Sequence, residues 1–283
     1  ILVPPLLRDL ARRALMRDHA RLAIALVNLR EHLQPGMGAE AERAAMAGFV
    51  AVREGRVDEA VDALREARRE VSGAAAPASD RAAAIRQIDE RVVTLLLSAR
   101  RYRDAVSYFE TDISPGAPLS PPVLVELIRA YCEVGDRSGA ARLVERLESS
   151  PLATDPTWAP LVARARLVFL AFLGRTAAVD ALLAGGGALG ELARPSRSYW
   201  SGIAHLHAGD RPAARRALED AVRRSRRDRR AREVAAEVLA SVDRSGVAGP
   251  HPVPDDIAAL ADRLSAAPPG PAPARLPEIG SVA

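Results

Sequence analysis

Lysine is absent from all 283 residues, so the forty basic side chains are all arginine. Alongside so much Ala, Gly and Pro, this reads as GC-rich coding bias, not selection for the forked contacts that arginine makes with phosphate or carboxylate. The formal net charge of +4 and a pI of about 9.9 then serve mainly solubility. Cysteine occurs once, at Cys132, which excludes an internal disulfide framework. It lies in the apolar helical pattern LIRAYCEV and reads as a small packing residue, with nothing around it arguing for a thiolate nucleophile. Aromatic residues make up only 4%, so a core must be built from Ala, Leu and Val. Such side chains suit closely stacked helices, and Ala has the best helix propensity. No apolar run approaches the ~20 residues of a membrane-spanning helix, and the longest, Leu167–Leu173, reads as a core stretch. The opening ILVPPLL is too short for a signal peptide and lacks a basic leader. Because the first residue is Ile1 and not Met, the chain is expected to be a piece of a longer, bacterial-type product.

What is present is a repeating helical pattern. Apolar residues recur at three- and four-residue spacing almost throughout, which is the helical period. The segments are about 10–15 residues long and are broken by Gly-Asp, Gly-Arg or Pro-containing turns. The stretch from Gly48 to Ala67 (GFVAVREGRVDEAVDALREA) overlays the one from Gly202 to Ala221 without a gap. Each has a small residue on a first helix, a glycine turn, a small residue on a second helix, and a large apolar residue one turn later. Four weaker copies are in register with these two. The pairs expected to meet between helices are Ala11 with Ala23, Gly48 with Ala60, Val93 with Ala105, Ile128 with Ala140, Leu167 with Val179, and Gly202 with Ala214. The large residues that follow are Val27, Leu64, Phe109, Val144, Leu183 and Leu218, on the same helix face. The turn positions are Asp18, Gly55, Arg100, Gly135, Gly174 and Gly209. A glycine there can take a positive φ and end the first helix. The Val179 copy carries large residues where small ones belong, which predicts splayed helices. Pro35 and Pro151 are expected to stop second helices, and Val71–Ser79 and Ala153–Pro160 to be inter-repeat loops.

These features resemble the tetratricopeptide repeat family, whose period is ~34 residues. The resemblance implies an all-α, right-handed α-solenoid of about six helix hairpins. It would span residues 5–243 and end in a solvating helix, Arg229–Val242. Residues 244–283 change to Ala, Pro and Gly and read as a largely disordered tail, with one possible short helix from Asp255 to Ala266. In this family the first helix of each hairpin lines the concave face. Carried over, the lining comprises Arg8, Arg12, Phe49, Arg53, Glu90, Thr94, Arg129, Glu133, Arg164, Phe172, Tyr199 and His207. Such a groove suits an extended peptide with acidic groups or a C-terminal carboxylate, because arginine presents a fork of donors. The chaperone-binding subclass uses Lys and Asn at places that here carry Arg8 and Arg12, so that activity is not expected.

No catalytic constellation is legible. His205 and His207 are two apart and point to different sides of a helix, whereas metal-ligand pairs want three or four. His205 is expected to pack against the second helix and His207 to face the groove. The GGGALG stretch at 185–190 lacks the strand and lysine of a nucleotide loop. No nucleophile elbow appears. The sharpest charge feature is Arg211–Arg232, with ten arginines against Glu219, Asp220 and Asp228, a local charge of +7. Arg223, Arg224, Arg226, Arg227, Arg229 and Arg230 form a candidate patch for nucleic acid or an acidic partner through counterion release, although no aromatics are interleaved for base stacking. A solvated end helix accounts for the same residues. The sequence therefore points to a non-enzymatic, cofactor-free protein-interaction scaffold, expected to be cytoplasmic. One alternative is a regulatory or nucleic-acid-associated module using the basic cluster. The other is the docking or sensor part of a membrane-bound protease or kinase, tethered through sequence outside this chain.

Overall fold

The computed structural model describes residues 6–7, 10–11, 14, 20–33, 54–73, 75, 77–113, 119–153, 155–185, 189, 194–226, 228–244 and 253–266. Among them the chain is all-helical, with no strand. They fall into two compact units, 1–123 and 124–283.

The first unit holds α1 (Ala20–Leu33), α2 (Val57–Gly73), α3 (Ala78–Ser98) and α4 (Tyr102–Thr111). The α3 helix packs on both α2 and α4. Its core is aliphatic, with Leu64, Ile88, Val92 and Val93 fully buried. The exception is Asp89, which is buried and is the acceptor for two side chains. Arg68 donates to its carboxylate from Nε at 2.7 Å, and Tyr108 donates from its hydroxyl at 2.7 Å. Arg68 also donates to the Asp112 carbonyl at 2.7 Å. A buried carboxylate is tolerated only when charge and hydrogen bonds compensate it, and this one joins α2, α3 and α4. Burial, and then the hydrogen bond to Asp89, push the Tyr108 phenol well above its ordinary value. On α4 the pattern places Phe109 on the inner face. The helix instead turns Ala105, Val106 and Tyr108 inward and leaves Phe109 half-buried. The physical reason is the hydrogen bond that the Tyr108 hydroxyl donates to Asp89, which draws Tyr108 in.

The second unit begins within α5 (Pro121–Val134) and continues with α6 (Arg137–Glu148), α7 (Ala159–Phe172), α8 (Thr176–Ala184), α9 (Arg194–His207), α10 (Arg211–Arg224), α11 (Arg229–Arg244) and α12 (Asp255–Ala266). One 3-10 turn, Pro151–Ala153, follows α6. Helices that are neighbours in sequence pack on one another from α6 to α11, and α9 also packs on α7. The α7 helix is apolar over most of its surface, with ten of its fourteen residues buried and Arg164 exposed. So much apolar surface must be covered by neighbours, and α6, α8, α9 and α12 pack on it.

The turns repeat one geometry. Arg100, Gly135, Gly174 and Gly209 all have positive φ, at 60°, 84°, 70° and 83°. At each, the turn residue's N–H donates to the carbonyl three back, and the next N–H donates to the carbonyl five before the turn residue's successor. These are Cys132 and Tyr131 for the Gly135 turn, and Leu206 and His205 for Gly209. This closes the preceding helix by satisfying its last carbonyls. Asp136 and Asp210 then cap the next helix by accepting from Gly139 N at 2.8 Å and Ala213 N at 3.0 Å. Arg100 adopts the same left-handed conformation without being glycine.

The described members of the paired positions are all buried, namely Ala11, Ala60, Val93, Ala105, Ile128, Ala140, Leu167, Val179, Gly202 and Ala214. At Gly202 the fit is so close that an added Cβ would lie 2.7 Å from the Leu218 Cγ. The splay expected at Leu167 and Val179 is not seen; both are fully buried and α7 contacts α8. Their bulk is accommodated because both facing helices are apolar there. The expected loop at Val71–Ser79 is shorter than read, since α2 runs to Gly73 and α3 starts at Ala78. Ala23 and Gly48, the Asp18 turn, and the glycines at 186, 187 and 190 lie outside the positions the structure describes at side-chain level. No described helix is long and apolar enough to cross a membrane.

Candidate interaction surface

Of the expected lining residues, Arg8, Arg12, Phe49 and Arg53 lie outside the described residues. Glu90 and Thr94 belong to the first unit and serve local structure. Glu90 accepts from the Ser120 backbone N–H at 2.6 Å, and the Thr94 hydroxyl donates to the Glu90 carbonyl at 2.7 Å. The remaining six lie on the first helices of the second unit, α5, α7 and α9.

The second unit brings α5 and α9 side chains together. Arg129 of α5 donates to the Tyr199 hydroxyl of α9 at 3.5 Å, and its guanidinium carbon lies 5.9 Å from the Trp200 ring centre. Tyr199 and Trp200 meet edge to face at 5.2 Å. Glu133, one turn along α5, sits 3.5 Å from Arg129 Nε. A guanidinium over an aromatic face is attracted by the ring quadrupole. Its Nη2 faces Tyr199, which is half-buried, and its Nε faces Glu133, which is exposed. One turn back from Arg129, Glu126 accepts from Arg164 of α7 at 2.7 Å, with both side chains exposed. Phe172 and His207 stack as a tilted pair, 4.9 Å between ring centres, and Phe172 is buried. Phe172 is therefore a packing residue that fixes α7 against α9. Glycine at 174 permits this approach, since a Cβ there would lie 2.8 Å from the Ala208 backbone nitrogen.

Trp200 is the member of this cluster that the sequence reading missed. Its aromatic neighbour Tyr199 was the available signal, but two adjacent residues on a helix usually face different ways, and only the tertiary position of Arg129 shows that one guanidinium reaches both. Another missed pair is Arg166 with Glu148, a bidentate link at 2.5 Å and 2.5 Å that ties α7 to α6. His205 is half-buried, and its Nδ1 lies 3.6 Å from the Asp210 carboxylate at the α10 cap. Cys132 is half-buried, and burial, then Glu133, hold its thiol well above the ordinary range.

The basic cluster occupies the end of α10 and the start of α11. Asp220 accepts from Arg223 at 2.6 Å and Arg224 at 2.7 Å, and also from the Ser198 hydroxyl at 2.7 Å. Ser198 first, then the two arginines, hold its carboxyl down at about 2. Arg229 pairs with Glu233 one turn on, at 2.7 Å. Arg226 is exposed; Arg227 and the Arg230 side chain lie outside the described residues. Half of the candidate patch is thus already engaged by local carboxylates.

No protein-family model matches this chain, and no curated protein sequence matches it.

Proposed function

We propose that the chain is a non-enzymatic protein-interaction module that binds a partner on the face formed by the first helices of its hairpins. In this reading the hairpins are tetratricopeptide-like repeats of a solenoid. The four turns of identical hydrogen bonding at Arg100, Gly135, Gly174 and Gly209 support it, as does α9 packing on both members of the preceding hairpin. The observation that carries the binding role is the Arg129–Tyr199–Trp200 cluster with Glu133 at its edge. Arginine, tyrosine and tryptophan are the residue types that dominate binding energy at protein interfaces. An acidic peptide group would exchange with Glu133 for the Arg129 fork.

Partner capture tests this, comparing the wild type with an Arg129→Glu/Tyr199→Ala double variant, each with and without nuclease. The expected result is a discrete protein retained by the wild type, lost from the variant by at least tenfold, and indifferent to nuclease. Equal retention by both chains would remove the assigned face.

The second reading is phosphate-backbone binding by the α10–α11 arginines. It is favoured by the exposure of Arg215, Arg216, Arg223, Arg224, Arg226, Arg229 and Arg232.

A further inference from the structure

The geometry points to a helix-acceptor groove on α6 and α7 that α12 fills in cis and that a partner's amphipathic helix of the same pattern takes by displacing it. The groove lies away from the Arg129 cluster in its contacts, and the inference stands independently of the function proposed above.

Three observations carry it. The first is the apolar seam. Ile257, Leu260, Ala261 and Leu264 are buried, at i, i+3, i+4 and i+7 of α12, and α12 packs on α6 and α7. This is the anchor spacing by which a helix lies in a groove. Ten of the fourteen α7 residues are buried, and α12 is one of the four helices that pack on it. The second is charge. Glu145 of α6 accepts from Arg263 at 2.9 Å, and Arg175, after α7, meets Asp262 at 3.2 Å. The acceptor surface therefore presents an anion and a cation, and α12 supplies the opposite sign to each. A competing helix needs an acid at the place of Asp262 and a base at that of Arg263. The third is incomplete closure. A cleft of about 490 Å³ remains between α12 and the end of α6, lined by Glu145, Glu148, Ser149, Leu260, Arg263 and Leu264. With its four charged partners largely exposed, α12 is held by four apolar side chains and two solvent-screened ion pairs. Segments held so sparsely open first, well below the global unfolding free energy.

The test uses a fluorescein-labelled peptide of residues 253–266, stapled between its exposed positions 255 and 259. Its binding to the full chain is read by anisotropy, for the wild type and for Leu260→Asp/Leu264→Asp. Weakening the cis helix raises the fraction of open groove, and apparent affinity rises with that fraction. The expected result is binding at least tenfold tighter to the double variant than to the wild type, abolished when the peptide carries the same two substitutions. Equal affinity for both chains, or binding to neither, overturns the proposal. A concentration-dependent dimer without peptide binding assigns the groove to exchange between copies and also overturns it. Hydrogen exchange on the wild type covers the case in which the variant fails to fold. Amides of α12 exchanging at least a hundredfold faster than those of α7 support displacement; equal protection overturns it.

Discussion

At the scale of single residues, the turn positions separate backbone strain from close packing. Gly135 has positive φ with nothing near its missing Cβ, whereas Gly174 has positive φ and a backbone 2.8 Å away. Gly135→Ala should therefore cost only the left-handed penalty, about 1–2 kcal/mol. Gly174→Ala adds a clash that α9 must absorb and should cost about 2–4 kcal/mol. Arg100→Gly runs the other way. It relieves a left-handed arginine at φ 60° and should stabilise by about 1 kcal/mol. Urea unfolding followed by circular dichroism orders the three. Asp220 gives a pH dependence. Its carboxyl is lowered to about 2 in the fold, against about 3.9 unfolded. The stability it contributes is full above about pH 4 and is lost as pH falls toward 2. Asp220→Asn should flatten acid-side stability loss across that window; an unchanged acid limb would show that the Ser198 and arginine bonds contribute nothing.

At the scale of elements, α9 and α10 approach closely at Gly202 and Leu218. The sequence placed Gly202 on a helix contact because a small residue recurs there, and the measured space shows why no larger residue fits. Gly202→Ala should destabilise by about 1–3 kcal/mol through overpacking. Adding Leu218→Ala should restore part of that loss, because the two share one space. Strict additivity in the double-variant cycle would contradict the assigned contact. Two elements were read at their boundaries from local chemistry alone. Asp255–Ala266 was expected as a short helix, and α12 spans those residues, because Pro254 and the two aspartates favour a helix start. The Arg229 helix likewise starts where read, capped by Asp228 accepting from Ala231 N at 2.9 Å. The α4 face was misread because apolar periodicity cannot register a buried Asp89 on the preceding helix, 19 residues from Tyr108.

At the scale of the whole molecule, charge is unevenly shared. The +7 of Arg211–Arg232 exceeds the chain's net +4, so the remainder is slightly acidic. If the cluster contacts phosphate, retention on generic RNA should fall at least tenfold between about 50 and 200 mM salt. It should be lost in Arg216→Gln/Arg226→Gln/Arg232→Gln, whose side chains are exposed. Absence of binding at low salt ends that reading and leaves the first-helix face as the remaining one.

The sequence by itself determined the helical class, the places of the turns, the helix-to-helix small residues and the end helices. All of these depend on neighbours within a few residues, through helical period, glycine φ and capping. Only the tertiary structure decided that Arg129 of α5 meets Tyr199 and Trp200 of α9, that Phe172 is buried, that Asp89 anchors three helices, and that α12 docks on α6 and α7. These contacts join residues from about twenty to over a hundred positions apart. Their partners are selected by burial and charge compensation in three dimensions, which local spacing does not encode.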